Sequence, residues 1–183
     1  FAVNQMPINI EIKAKINNVE NIRKKIDKLN TTTPVEILQE DVFFNIVKGR
    51  LKLRIFSQGE GELIYYLRND SAGPKRSEYH IYKTNEPKTL QRVLEYSLGI
   101  RGVVRKKRLL YLVGNTRIHL DEVEHLGFFL ELEVILGKGQ DEKSCYASAN
   151  EIMDMLDINE KDLVDKAYID LLEKIPDSTN LKG

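Results

Sequence analysis

Residues 127–137 read GFFLELEVILG. Leu130, Leu132, Val134 and Leu136 alternate with Phe129, Glu131, Glu133 and Ile135, the period-two pattern of a strand whose successive side chains leave on opposite faces. One face is apolar. The other carries two carboxylates about 7 Å apart along the strand. Such a strand needs partners that can accommodate an acidic face next to phenylalanine and isoleucine.

The same alternation recurs along the chain. Residues 7–16 (PINIEIKAKI) set Ile8, Ile10, Ile12, Ala14 and Ile16 against Asn9, Glu11, Lys13 and Lys15. Further strands are expected at 35–46, at 50–56 (RLKLRIF) after a Lys48-Gly49 turn, and at 62–70 after the loop 57–61. KRSEYHIY (75–82) follows a turn at 71–74, and VVRKKRLLYLV (103–113) and TRIHLDEVEHL (116–126) precede the opening stretch. Helical spacing covers 18–30, with Asn18 as N-cap, then 88–99 with Gly99 as stop, 142–158 and 161–175. A break is expected at 31–34. Eight largely sequential strands with few helices between them point to an α+β protein built on an antiparallel sheet or barrel.

Sorted by parity, the polar positions hold Glu11, Lys13 and Lys15; Arg50, Lys52 and Arg54; Tyr66 and Arg68; and Arg76 and Glu78. They continue with Lys106 and Arg108; Arg117, His119 and Asp121; and Glu131 and Glu133. The plain reading is the wet side of an open sheet. Two details weigh against it. The face is rich in arginine rather than Thr, Ser and Gln, and its carboxylates concentrate at the two ends of the chain, which meet if the sheet closes. An eight-stranded barrel turns one parity into the lumen, and the charged parity is the candidate. A lumen so charged cannot stay dry, because each buried charge carries a desolvation cost. A polyphosphate would satisfy the cations, through the bidentate fork of arginine. Mg²⁺ or Mn²⁺ would satisfy the carboxylates.

Composition narrows the field. At 183 residues and 21.1 kDa the chain is sized for one domain. Lys plus Arg and Asp plus Glu each number 28, so zero net charge gives no reason to expect a nucleic-acid or membrane binder. The single cysteine, Cys145, excludes an internal disulfide and a four-cysteine zinc site, and reads as a small buried residue. No apolar run reaches the length of a membrane span and no signal-peptide core is present, so a cytoplasmic protein is expected. Residues 1–5 read as a preparative remnant ahead of Met6, residues 6–176 as the domain, and residues 177–183 as a flexible tail. RGVVRKKR (101–108) resembles a nucleic-acid patch, but its alternation favours a division between lumen and surface. His119 has no histidine near it in sequence, so metal ligation and a phosphate or structural contact both stay open. P-loop, zincin and nucleophile-elbow motifs are missing from the sequence.

NIEIK, GRLKLR, KRSEY, KKRLLY, RIHLDEVEHLG and FLELEV, in this order and spacing, resemble the CYTH superfamily. These are triphosphate tunnel metalloenzymes that include class IV adenylate cyclases, thiamine triphosphatases and inorganic triphosphatases. The resemblance runs from about Ile8 to Ile175 and implies an eight-stranded antiparallel tunnel. It implies metal binding by Glu11, Asp121, Glu131 and Glu133, and triphosphate binding by Lys13, Lys52, Arg54, Arg68, Arg76, Lys106, Arg108 and Arg117. Lys13, Glu131 and Glu133 take the catalytic roles, with Mg²⁺ or Mn²⁺ as cofactor. One position departs: the first glutamate of the family's E-x-E-x-K signature is Asn9 here. A phosphate clamp is legible and a base-reading motif is not. The expected activity is therefore metal-dependent triphosphate hydrolysis, with adenylate cyclisation and non-catalytic polyphosphate or nucleotide binding as the rivals.

Overall fold

A computed structural model describes residues 7–29 and 33–176. The readings made for residues 1–5, for Met6 as a start, for part of the 31–34 break and for the 177–183 tail lie outside the described residues.

Eight strands form: β1 (Ile8–Lys15), β2 (Val35–Phe44), β3 (Arg50–Phe56), β4 (Gly61–Arg68), β5 (Lys75–Thr84), β6 (Ile100–Val113), β7 (Thr116–Val123) and β8 (Gly127–Ile135). They close into a barrel in the order β1-β5-β4-β3-β2-β6-β7-β8, and every pairing is antiparallel. The expected α+β barrel is the observed one. Closure depends on β1, which pairs with both β5 and β8. Against β8 it sets Glu11 opposite Glu133 and Lys13 opposite Glu131. Cross-strand partners share a face, so the acidic ends of the chain do meet.

The helices are α1 (Val19–Leu29), α2 (Pro87–Leu98), α3 (Glu142–Met155) and α4 (Tyr168–Leu172). They explain why the charged parity points inward. Ile10 and Ile12 of β1, Ile118 and Leu120 of β7, and Leu130, Leu132 and Val134 of β8 are buried on the outside of the barrel. Ile22 and Ile26 of α1 and Cys145, Ala149, Ile152 and Met153 of α3 cover them. A second cluster places Val42, Phe44, Leu53 and Val103 beneath Leu90, Leu94 and Leu98 of α2. Each such aliphatic side chain contributes about 1.5–3 kcal/mol when removed from water. The apolar parity therefore goes to the helices and leaves the polar parity for the lumen.

Local signals act as the sequence implies. The Asn18 side chain caps α1 by accepting from the Asn21 N–H at 3.0 Å. Gly99, at φ 74°, ends α2 with its N–H on the Glu95 carbonyl at 2.9 Å. Gly49 turns β2 into β3 at φ 77°, and a Cβ there would lie 2.8 Å from the Tyr66 carbonyl oxygen.

The helix expected over 161–175 does not form as one element. A single 3₁₀ turn at Glu160–Asp162 is followed by extended chain and then by the five-residue α4. Tertiary bonds override the helical spacing here. Leu163 bridges to Ala14, and the Val164 N–H donates to the Lys13 carbonyl at 2.8 Å. No described helix is long and apolar enough to cross a membrane.

Candidate functional site

The barrel encloses a cavity of about 330 Å³, the size of a small-molecule site. Segment 163–168 closes one end. Lys75 Nζ donates to the Ser71 and Val164 carbonyls at 2.7 and 3.2 Å, and Lys13 Nζ donates to the Lys166 carbonyl at 3.3 Å. The Tyr168 ring then lies 3.8 Å beneath the Lys13 ammonium and 5.0 Å from that of Lys106. α4 is held against the barrel by Arg50 and Arg101, which reach the Asp170 carboxylate at 2.8 and 2.6 Å.

Inside, the cations are positioned by acids. On the β2–β3 wall, Asp41 accepts from Lys52 at 2.8 Å and from Arg54 at 2.8 and 3.0 Å. Burial alone would raise the Asp41 value, but Arg54 and Lys52 outweigh it and hold the carboxyl well below its ordinary range. Burial and the adjacent Arg54 push the Lys52 ammonium down to about 8 in spite of Asp41. On the β6–β7 wall Asp121 plays the same part. It accepts from Lys106 at 3.0 Å, from Arg108 at 2.7 and 2.6 Å, and from the Tyr168 hydroxyl at 3.1 Å.

The β8 wall is different. Glu131 receives Lys13 at 3.1 Å and Arg108, and Glu133 receives Arg117 at 2.8 Å. Burial would raise both glutamates; Lys13 and Lys106 hold Glu131 low, and Glu133 is lowered by His119 in its protonated form and then by Arg117. Glu11, across from Glu133, is raised, first by burial and then by the Glu133 charge, against the pull of Arg68. His119 is buried and held neutral, pushed by burial and then Arg108 down to about 4. Its Nδ1 has no hydrogen-bond partner and lies 3.9 Å from a Glu131 oxygen and 4.0 Å from a Glu133 oxygen. One ligand atom from each of His119, Glu131 and Glu133 falls within 4.8 Å of the others. A neutral, unpartnered imidazole beside two ionised carboxylates fits a divalent cation.

The residues named from sequence sort as follows. Glu11, Lys13, Lys52, Arg54, Arg68, Lys106, Arg108, Arg117, Glu131 and Glu133 line the cavity. Arg76 does not. It projects from the outer surface, where it donates to Glu142 at 3.0 Å and pairs with Glu78. The reason is register: Asn9 and Glu11 face Ser77 and Lys75 on β5, so the odd residues of that strand point inward. Asp121 also stands apart from the expected metal set. Its oxygens are engaged by Lys106, Arg108 and Tyr168, and it is not one of the three residues of the His119 group. In RKKR (105–108), Lys106 and Arg108 are inside, while Arg105 and Lys107 are exposed against Glu40 and Glu36.

Asp41 and Tyr168 were missed. Asp41 sits at lumen parity on β2 beside Gln39 and Phe43, and sorting that strand as the others were sorted would have exposed it. Tyr168 carries no local signal, because only the fold brings the C-terminal segment across the barrel's end.

Comparison with known proteins gives consistent results. A family model described as CYTH domain matches residues 7–168. A protein of Methanocaldococcus jannaschii provisionally named an adenylate cyclase is 27% identical over 176 residues, spanning 90% of this chain and 98% of its own. The solved structure of the PH1012 protein of Pyrococcus horikoshii OT3 is 26% identical, with a TM-score of 0.80 over 89% of this chain and 98% of that one. A Vibrio parahaemolyticus structure, again provisionally named an adenylate cyclase, shares the fold at 16% identity. Its TM-score is 0.75 over 92% of this chain and 99% of that one.

Proposed function

The chain belongs to the CYTH domain family, and from that premise we propose that it hydrolyses a triphosphate drawn into the barrel, with a divalent cation at the β8 wall. CYTH domains bind triphosphates and their tunnel enzymes depend on metal. The observation that carries the reading is convergence. Lys13, Lys52, Arg54, Arg68, Lys106, Arg108 and Arg117 line one lumen that also holds His119, Glu131 and Glu133.

His119, Glu131 and Glu133 would hold the cation, with Glu11 opposite Glu133 and able to join them. The imidazole makes the set at least as suited to Mn²⁺ as to Mg²⁺. A bound cation would offset charge on the phosphate oxygens and acidify a coordinated water. The remaining work belongs to the chain. Lys13, Arg108 and Arg117 stand at the same wall and donate to phosphate oxygens as charge develops on them. Lys52 and Arg54, fixed by Asp41, and Lys106, fixed by Asp121, orient the phosphates from the other walls. Tyr168 and Ala167 block the closed end and limit how deep the substrate travels.

The provisional names of the M. jannaschii and V. parahaemolyticus relatives favour a second reading, in which the ribose 3′-hydroxyl of ATP replaces water and cyclic AMP forms. Incubation with Mn²⁺ or Mg²⁺ and tripolyphosphate, thiamine triphosphate or ATP separates the two. Free phosphate is the expected product. Cyclic AMP with pyrophosphate would replace hydrolysis by cyclisation, and thermal stabilisation without turnover would leave a binder weakened by Asn9. Within the same assay Arg117→Ala should lower kcat/KM by about 10- to 100-fold, the worth of a charged hydrogen bond. Arg76→Ala, outside the barrel, should stay within about two-fold.

The Lys52 value adds a pH dependence. Ligand phosphates favour the ammonium form, so binding should take up a proton as the pH rises past about 8. Calorimetric affinity for tripolyphosphate in EDTA is expected to weaken from pH 7 to 9.5 with an inflection near 8. Lys52→Arg, which stays charged, should flatten that inflection. A wild-type profile indistinguishable from the arginine variant would remove Lys52 from the clamp.

A further inference from the structure

Most of the lumen's cations are held by carboxylates. Asp41 fixes Lys52 and Arg54, Asp121 fixes Lys106 and Arg108, and Glu133 fixes Arg117. A carboxylate that positions a cation also offsets the charge that cation can offer a phosphate. Lys13 is held differently. Its carboxylate partner, Glu131 at 3.1 Å, is shared with Arg108. Two further contacts are neutral: the Lys166 carbonyl at 3.3 Å and the face of the Tyr168 ring, whose centroid lies 3.8 Å from Nζ. The same ring lies 5.0 Å from the Lys106 ammonium. Both distances fall inside the reach of a cation–π attraction, about 6 Å. A ring face attracts an ammonium through its quadrupole and leaves the unit charge in place.

Tyr168 is fixed firmly enough to serve as such a shelf. It is buried, and its ring meets Phe129 of β8 edge to face, with centroids 5.0 Å apart. Its hydroxyl donates to Asp121 of β7 at 3.1 Å. Burial and then the Asp121 charge push the phenol well above its ordinary value, so it stays a neutral donor. The chain beside it is anchored through Asp170, which accepts from the Ala167 N–H at 3.0 Å while Arg50 of β3 and Arg101 of β6 hold the same carboxylate.

Resting on the reading above that the lumen binds a triphosphate, we propose that Tyr168 is a positioning residue whose ring face holds the Lys13 ammonium in place for a phosphate without neutralising it. In the absence of the ring, Lys13 settles onto Glu131 and has to be drawn off that carboxylate before it meets a phosphate oxygen. Lys106, farther from the ring and already on Asp121, depends on it less.

The charge on the ring face separates this role from packing, and fluorine removes that charge while keeping the ring. Tripolyphosphate affinity is measured by calorimetry in metal-free buffer, where the proposed metal-dependent turnover is silent. Tyr168→Leu should bind about 10-fold or more weakly than wild type, the worth of a desolvated cation–π contact. Tyr168→Phe keeps the face and loses the Asp121 bond, so it should melt at a lower temperature and yet bind within about three-fold of wild type. Tyr168→trifluorophenylalanine should melt with Tyr168→Phe and bind almost as weakly as Tyr168→Leu. The two ring variants carry the test where the leucine variant does not fold. Equal affinity in those two would reduce the ring to packing, and a phenylalanine variant as weak as the leucine one would move the role to the hydroxyl. Either result, or wild-type affinity in Tyr168→Leu, would overturn the proposal and leave the triphosphate tunnel standing. Failure of the wild-type protein to bind tripolyphosphate at millimolar concentration would overturn the tunnel reading and this one with it.

Discussion

Glu131→Gln is expected to lower metal-dependent turnover by about 100-fold or more, and Glu133→Gln by a similar factor. Glutamine keeps the shape of the side chain and its capacity to accept from Lys13, Arg108 or Arg117. It removes the negative charge that makes the His119, Glu131 and Glu133 group a cation site. The loss should appear in metal affinity as well as in rate, so Mn²⁺ titration followed by electron paramagnetic resonance provides a second readout. Thermal unfolding should move little for Glu133→Gln, whose Arg117 partner is a third exposed. Wild-type turnover in either variant would sink the assignment of the β8 wall as the reaction centre.

A different loss is expected from Asp121→Asn. Burial by itself would raise the Asp121 value, but Arg108 and Lys106 outweigh it and hold the carboxyl below the ordinary carboxylate range. Its side chain has no exposed surface, and those of Lys106 and Arg108 are 2% and 5% exposed. An amide in its place leaves Lys106 buried without a counter-charge and Arg108 dependent on Glu131 alone. Breaking a buried pair in this way costs about 3–5 kcal/mol, and for a chain of this size the melting temperature should fall by about 6–20 °C. In the wild type the contribution follows the depressed carboxyl. It is complete above the unfolded value of about 3.9 and is lost as the pH falls below it. Circular dichroism melts at pH 7 and pH 3 measure both effects. A melting temperature within 2 °C of wild type, together with weakened Mn²⁺ binding, would return Asp121 to the metal set that the family resemblance implies.

These three residues show how far parity carries. Glu131 and Glu133 are legible from FLELEV because alternation is local: neighbouring side chains on a strand must take opposite faces. Asp121 was placed on the correct face by the same logic and then given a metal role. Parity states which way a side chain points and not what meets it there. Its partners Lys106 and Arg108 come from β6 by register, and Tyr168 comes from a segment 47 residues downstream. Arg76 failed for a related reason. Both faces of β5 carry polar residues, so only the pairing with β1 could say which face is inside.

By itself the sequence determined that strands dominate, that each has one apolar and one charged parity, and that acids lie at both chain ends with cations between them. These are properties of near neighbours and of composition, and folding does not change them. The tertiary structure decided which parity became the interior, because α1, α2 and α3 cover the apolar face and leave the charged one to the lumen. It also broke the 161–175 helix, since the Lys13 carbonyl and the ammonium groups of Lys13 and Lys75 offered its backbone bonds that a free helix would have had to forgo. It brought His119 beside two glutamates and the Tyr168 ring beneath the Lys13 ammonium. Register and closure are set between strands far apart in the chain, and no single stretch of sequence contains them.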